Sequence, residues 1–283
     1  MGICNVTPDS FSDGGRHFSR DAALARVRAL VAEGADFVDI GGESTRPGAE
    51  PVPAGEQIAR VLDVVTLAAQ EGACVTIDTA SPEVAAACLE AGACAVNDVS
   101  CLRDDRLAAV CASNDAALVL MHARAPQSEM KAFSEYPDSG YGDIVRDVLA
   151  EWRFAADRAA AEGLARDALV MDPGLGFAKN ARQSAALLAA TRTISAAAGV
   201  PVCVGASRKS FLRMVDPSAK PDERFGASLA AALFAARNGA SILRVHDVRA
   251  TRQAVDLEIA LGSRASLPDH RAPEPRAPRE ETG

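Results

Sequence analysis

Acidic, amide and cationic residues stand at the ends of short apolar runs throughout this chain. Asp78 ends Val-Thr-Ile-Asp, Asn97 lies in Ala-Val-Asn-Asp, and Asp172 ends Leu-Val-Met-Asp. Carboxylates so placed are costly to bury unless partnered. A ligand with adjacent N–H donors can partner them through paired hydrogen bonds, as an arginine does, and an aminopyrimidinone ring has such donors. Against this group stands a cationic one: Arg46, Lys209 and Arg244, with His246 and Asn5 beside them. The two groups predict a ligand with an N–H-rich heterocyclic end and an anionic end. Taken singly, each residue reads equally well as a helix cap or a satisfied loop polar. The recurrence at the ends of eight runs is what points to a site: Asn5, Gly41-Gly42-Glu43, Asp78, Asn97-Asp98, Met121-His122, Asp172, Ser207 to Ser210 past Gly205, and Arg244 with His246.

The runs themselves read as strands over Gly2–Asn5, Phe37–Gly41, Cys74–Asp78, Ala95–Asp98, Ala117–Met121, Leu169–Asp172, Val202–Gly205 and Ile242–Val245. Alanine-rich segments with helical spacing separate them; Ala23, Val27, Leu30 and Val31 share one face of the first. Ser81 is placed as an N-cap, Pro82 fits the first helical position and Gly92 fits just past the end. Ile144, Val145, Val148, Leu149 and Trp152 line a later helix, after a long loop from Ala123 to about Gly142. Gly-Ala precedes four of the strands, at 34–35, 72–73, 92–93 and 239–240, as a repeated helix-ending turn would leave it. Eight strands alternating with helices predict an α/β fold of the (β/α)8 TIM-barrel type, a single domain over residues 1–262. An open doubly wound sheet is the alternative, but no GxGxxG follows the first strand. Residues 263–283, rich in proline and poor in large apolar side chains, predict a disordered tail.

In such a barrel the chemistry sits at the C-terminal ends of the strands, and cations past strands seven and eight are where phosphate is usually held. Two glycine- and proline-rich loops, TPDSFSDGG (7–15) and GGESTRPGAEPV (41–52), suit segments that order over a substrate. No GxSxG, Walker A or HExxH motif is present, which argues against covalent serine chemistry and a structural zinc. The net charge of −8 leaves no basic footprint for nucleic acid. Seven cysteines without CxxC or metal spacing read as reduced core thiols. No run reaches membrane length and no signal pattern opens the chain, so a cytoplasmic protein is expected.

The motifs MGICNVTPDSFSDGG, DIGGESTRPGA, IDT, NDVS, LMH, DPGLGFAK, VGASRKSF and LRVHDV stand in the order and spacing of dihydropteroate synthases, and over residues 1–262 the chain resembles that family. The resemblance implies a barrel enzyme, usually a homodimer and the target of sulfonamides. It joins 4-aminobenzoate to 6-hydroxymethyl-7,8-dihydropterin diphosphate for folate synthesis, by diphosphate loss to a pterin cation that the arylamine captures. It implies that Asp78, Asn97 and Asp172 hydrogen-bond the pterin together with Lys209, while Met121, Phe177 and Gly205 shape its slot and Arg244 lies over the ring. Asn5, Arg244 and His246 would hold the diphosphate, with Asn5 also near Mg2+. Thr45, Arg46, Pro47 and Ser210 would surround the aminobenzoate, with Phe11 and Asp13 joining from the first loop. The catalytic weight would fall on Lys209, Arg244, Asn5 and Asp78.

The chain departs from the family pattern in four places. It begins at the first strand, where family members commonly have a short hairpin, so an extended natural start or an open barrel floor is expected. Cys101 and Ala178 stand where glycine is usual, and Ser184 near where asparagine is common. Two rival readings are a pterin-binding methyltransferase domain and an inactive pterin-binding homologue. SRKSF, TPDSFSDGG and ESTRPG favour the synthase over the first, and the presence of Arg46, Lys209 and Arg244 favours it over the second. Three further residues read as supporting: His122 as a hydrogen-bonded wall residue, Arg208 as paired to a nearby carboxylate, and Asp39 as an orienter for Arg46 or the first loop. His17 and His270 read as surface.

Overall fold

A computed structural model describes residues 1–7, 16–44, 50–125, 129 and 136–262, with only the backbone of residues 16–19. Phe11, Asp13, Thr45, Arg46 and Pro47 lie outside the described residues, as does segment 263–283. Every run expected to be a strand is one: β1 (Gly2–Asn5), β2 (Val38–Gly41), β3 (Val75–Asp78), β4 (Ala95–Asp98), β5 (Ala117–Met121), β6 (Leu169–Asp172), β7 (Cys203–Val204) and β8 (Ile242–Leu243). The first six pair in parallel in chain order, and β7 pairs with β8. Single bridges from Met171 to Val202 and from Gly2 to Val245 join the two sets. The Ile3 amide donates to the Val245 carbonyl at 3.0 Å and the Met171 amide to the Pro201 carbonyl at 2.9 Å, so the strands form a ring. Because Val202 and Val245 pair only at these bridges, β7 and β8 are shorter than their sequence runs.

The helices fill the connections: α1 (Arg16–Ala32), α2 (Ala54–Gln70), α3 (Pro82–Glu90), α4 (Arg106–Ser113), α5 (Ile144–Ala161), α6 (Ala181–Ala189), α7 (Thr191–Ala198), α8 (Phe225–Arg237) and α9 (Val248–Gly262). The local signals explain several ends. Ser81 accepts from the Val84 amide with Pro82 at the first position of α3, and Asp143 accepts from Val145 and Arg146 at the start of α5. Gly34, Gly72, Gly92 and Gly239, the glycines of the Gly-Ala repeat, all take positive φ where a helix turns into a strand. In α1 the buried face is Ala23, Leu24, Val27 and Leu30, whereas Val31 is half exposed, one residue round from the expected stripe. Trp152 of α5 is buried, and its Nε1–H donates to the Leu120 carbonyl at 2.9 Å.

Side-chain alternation sorts each strand into two faces. Ile40, Ile77, Val96, Leu118, Leu120 and Met171 pack outward against the helices in the main core. Met1, Val119 and Cys203 cluster separately with Phe37, Val170 and Ile242, filling the barrel floor. Above that floor, pairing places Gly41 beside Asp78 and Asp78 beside Asn97, so inward-facing polar residues meet at one level. The cysteine expectation holds for Cys4, Cys88, Cys111 and Cys203, which are buried, and partly for Cys101. It fails for Cys74 and Cys94, which are exposed because they precede β3 and β4, below the cover of the helices.

Candidate active site

Asp39 organises the barrel interior. It is fully buried, and it accepts from Thr76 Oγ1 at 2.5 Å, Asn97 Nδ2 at 3.0 Å and Arg244 Nε at 2.6 Å. Arg244 in turn donates through Nη2 to Asp78 Oδ2 at 2.6 Å. Burial works against the Arg244 charge, but Asp39 and Asp78 outweigh it and hold the guanidinium above its ordinary range. Asp39 is thus an orienting residue, as expected, and among the described residues it orients Arg244, Asn97 and Thr76; Arg46 and residues 8–15 of the first loop lie outside the described residues.

Asp78 has one oxygen to spare. Its Oδ1 is buried without a hydrogen-bond partner among the described residues. Burial pushes its pKa up to about 7 against the pull of Arg244. An unpartnered buried carboxylate oxygen is expensive in a finished structure, so it marks a place where a ligand donor belongs. Asp172 is buried too; its Oδ1 accepts from the Gly174 amide at 2.7 Å, and burial raises its carboxyl while Lys209 pulls it back.

Lys209 follows β7, and its Nζ donates to the Leu175 carbonyl at 2.6 Å and lies 4.6 Å from the centre of the Phe177 ring. Burial brings its pKa down to about 8, with Asp172 opposing, which leaves it cationic at neutral pH. A Cβ added to Gly205 would lie 3.7 Å from Arg244 Cβ, 3.8 Å from Lys209 Nζ and 3.9 Å from Asp172 Oδ2, so this glycine keeps the space between the three groups free. Met121 and Phe177 pack with Ala123 as a separate apolar wall. Ser210 opens a short 3₁₀ turn to Met214 just after Lys209.

Where β8 closes against β1, Asn5 ends β1 and is exposed. The His246 ring Nδ1 lies 3.0 Å from Ser207 Oγ. Burial, with Arg208 and Arg244 near, lowers its pKa to about 4, so the ring is neutral rather than a member of the cationic group at pH 7. Arg208 pairs with Asp247 through two bonds of 3.2 and 2.7 Å, as expected of a supporting residue. Glu43 accepts from the Val52 amide at 2.7 Å and from Gln57 Nε2 at 3.4 Å, fastening the far end of the second loop.

A second buried network braces the apolar wall. His122 Nε2 lies 2.9 Å from Glu151 Oε2, and Lys179 Nζ lies 3.0 Å from His122 Nδ1. Lys179 also donates to the carbonyls of Gly174 and Phe177, both at 3.0 Å. Burial lowers the His122 pKa to about 4 and that of Lys179 to about 7. Lys179 thereby pins the turn that carries Phe177 after β6. His122 is the wall residue expected, but sequence reasoning did not single out Lys179 or Glu151. A lysine following so apolar a stretch as Gly-Leu-Gly-Phe-Ala was the available signal.

Two departures from the glycine pattern have a visible cost. Cys101 and Ala178 adopt φ of 63° and 50°, the left-handed region that suits glycine. Cys101 sits in a loop wrapped around the buried Asp98, which accepts from the Ser100 and Leu102 amides at 2.7 and 2.6 Å.

The profile of the pterin binding enzymes matches residues 1–246. The chain is 44% identical over 261 residues to the dihydropteroate synthase of Mycobacterium leprae strain TN, an alignment covering 90% of each chain. It resembles the solved Xanthomonas albilineans dihydropteroate synthase with 4-aminobenzoic acid, with a TM-score of 0.85 at 39% identity over 93% of this chain and 92% of that one. The Yersinia pestis dihydropteroate synthase solved with a sulfonamide drug superposes with a TM-score of 0.84 at 37% identity, over 93% and 94% of the two chains. An orphaned carboxylate oxygen, a part-buried arginine clamped by two acids and a lysine over a phenylalanine thus sit in a barrel of known kind, and the chain belongs to the pterin binding enzymes, among their dihydropteroate synthases.

Proposed function

We infer that the barrel mouth condenses 6-hydroxymethyl-7,8-dihydropterin diphosphate with 4-aminobenzoate, giving 7,8-dihydropteroate and pyrophosphate. The observation that carries this reading is Asp78 Oδ1, buried and without a partner among the described residues, with Asn97 beside it and Lys209 facing both Asp78 and Asp172. A pterin supplies the N–H donors that oxygen lacks, and its ring lies against Met121 and Phe177 with Gly205 leaving room for it. Bound N–H groups favour the ionised form of Asp78, so the ligand lowers a pKa that burial had raised.

The reaction breaks the bond between the pterin methylene and the diphosphate oxygen, and the electron-rich dihydropterin carries the resulting cation. The neutral arylamine then attacks that carbon and loses a proton, so no strong base is required. Lys209 and Arg244 lie between the pterin pocket and the diphosphate and stabilise charge as it builds on the leaving group. His246, neutral, contributes an N–H donor. Asn5 offers an exposed amide oxygen, a hard donor of the kind Mg2+ accepts alongside substrate phosphates. No group of three His, Cys, Asp or Glu residues forms a metal site among the described residues, so the ion would lean on the diphosphate itself. When bound, Mg2+ would offset diphosphate charge.

Thr45, Arg46, Pro47, Ser210, Phe11 and Asp13 are assigned to the aminobenzoate by the family pattern they match. A sulfonamide drug, as in the Yersinia pestis relative, would compete there. A homodimer is supported by Phe225 and Phe234 on α8 and Leu257, Ile259 and Leu261 on α9, all large apolar side chains left exposed. No helix among the described residues is long and apolar enough to cross a membrane. The test is steady-state turnover of the full chain with both substrates. Lys209→Ala should lower kcat/KM by about 3 kcal/mol of transition-state stabilisation, as loss of one preorganised donor does. A kcat/KM near wild type would remove Lys209 from the mechanism.

A further inference from the structure

Two turns of identical sequence, Gly-Ala-Cys at 72–74 and 92–94, feed the neighbouring strands β3 and β4. The Cys94 amide donates to the Val75 carbonyl at 2.8 Å, which brings the two turns side by side. Cys74 Sγ and Cys94 Sγ are 2.9 Å apart. That is closer than unbonded heavy atoms normally rest, about 3.5–4.0 Å for carbon. Both residues are exposed, at the N-terminal ends of their strands and so at the end of the barrel opposite the mouth. The main core, the apolar wall and the substrate groups do not use them. The other described cysteines differ: Cys4, Cys88, Cys111 and Cys203 are buried, and Cys101 is partly covered.

We propose that Cys74 and Cys94 are a redox modification site, a dithiol that a small-molecule disulfide converts to an intramolecular disulfide across β3 and β4. The Cys94 residue is exposed, but its Sγ is tucked against the strand and donates to the Val75 carbonyl at 3.3 Å; that partial burial and the contact with Cys74 push its thiol up to about 12, so we assign the first attack to Cys74. The Cys74 thiolate attacks one sulfur of the co-reactant, forms a mixed disulfide and expels the first small thiol. Cys94 then gives up its proton and attacks Cys74 Sγ, releasing the second small thiol. Two S–H bonds are lost from the protein, one S–S bond forms, and the co-reactant is reduced to two thiols. The sulfurs are separated by 20 positions in the chain, so the bond closes a medium loop. It staples the barrel base chiefly by restricting the unfolded chain. The mouth, on the far side, is untouched.

The full chain is incubated with oxidised glutathione, alkylated with iodoacetamide and mapped by peptide mass spectrometry; melting and turnover are followed in parallel. The expected result is a joined pair of peptides carrying Cys74 and Cys94, neither alkylated, with Tm raised by up to about 10 °C and kcat/KM unchanged. Cys94→Ser should trap Cys74 as a glutathione adduct, and the double serine variant should lose the Tm rise. Separate glutathione adducts on both cysteines of the wild type, or alkylation of both after oxidation, would overturn the proposal. A joined pair with no change in Tm would overturn the staple.

Discussion

Replacing Asp39 by asparagine isolates the claim that one buried carboxylate, out of reach of solvent, sets the geometry of the mouth. The carboxylate takes three donors: Thr76 at 2.5 Å, Asn97 at 3.0 Å and Arg244 at 2.6 Å. An amide of the same shape offers one oxygen, so at least one of those donors loses its partner, at about 1–3 kcal/mol for a buried group. Arg244 also loses one of two countercharges. Breaking a buried ion pair outright costs about 3–5 kcal/mol, but Asp78 remains 2.6 Å from Nη2, so only part of that is lost. The combined expectation is a loss of about 3–5 kcal/mol, read as a shift of the urea midpoint at unchanged slope. At about 2–4 °C per kcal/mol for a chain this long, Tm should fall by about 6–20 °C. Pterin binding should weaken as well, because Asn97 and Arg244 lose the group that aims them. A variant within about 0.5 kcal/mol of wild type, with pterin affinity intact, would refute the role assigned to Asp39.

The other predictions concern strain and protonation. Cys101→Gly and Ala178→Gly relieve left-handed backbone at φ 63° and 50°. Each should stabilise the protein by up to about 1 kcal/mol in urea unfolding, the relief of about 1–2 kcal/mol being offset by glycine's larger unfolded-state entropy. Gly174→Ala should do the reverse, because φ is +69° there and a Cβ would strike the His122 carbonyl. His122 and His246 have folded pKa values near 4, below the unfolded value of about 6.5. The unfolded chain therefore binds more protons between those values, and their contribution to stability grows as pH rises from about 4 to 6.5. Asp78, raised to about 7, acts in the opposite direction over about pH 4–7. Asp98 and Asp172, also raised by burial, act with Asp78, so the imidazole effect is read by difference: the Tm gap between wild type and His122→Gln should widen as pH rises from about 4 to 6.5. With Lys209 at about 8, kcat/KM should decline above that pH as its charge is lost, and a profile flat to pH 10 would contradict the role given to the ammonium.

Much of this was legible in the order of residues along the chain. The strands announced themselves as apolar runs, and their polar ends fell at one end of the barrel because parallel βα repetition puts every strand end there. Local signals such as Ser81-Pro82 and the Gly-Ala turns act over a few residues, so a linear reading finds them. What it could not find depends on closure of the ring. Asp39 and Arg244 are 205 positions apart and meet only because β8 returns beside β1. Lys179 and Glu151 sit in unrelated segments and matter only through His122. The neutral state of His246 likewise follows from burial and nearby arginines, which no motif encodes. Cys74 and Cys94 looked like core thiols because their neighbours in sequence are apolar, while their position below the strands leaves them exposed.

Whether Asp78 holds the pterin is decided by calorimetric titration of 6-hydroxymethyl-7,8-dihydropterin diphosphate into the wild type and into Asp78→Asn. Asp78 Oδ1 is the buried oxygen left for the ligand, and a hydrogen bond to a charged group contributes about 1.5–3 kcal/mol. The variant should bind about 10- to 200-fold more weakly, while Tm without ligand falls by less than in Asp39→Asn, because Arg244 loses the Asp78 countercharge but the three donors on Asp39 keep their partner. Equal affinity for the two proteins would contradict the account.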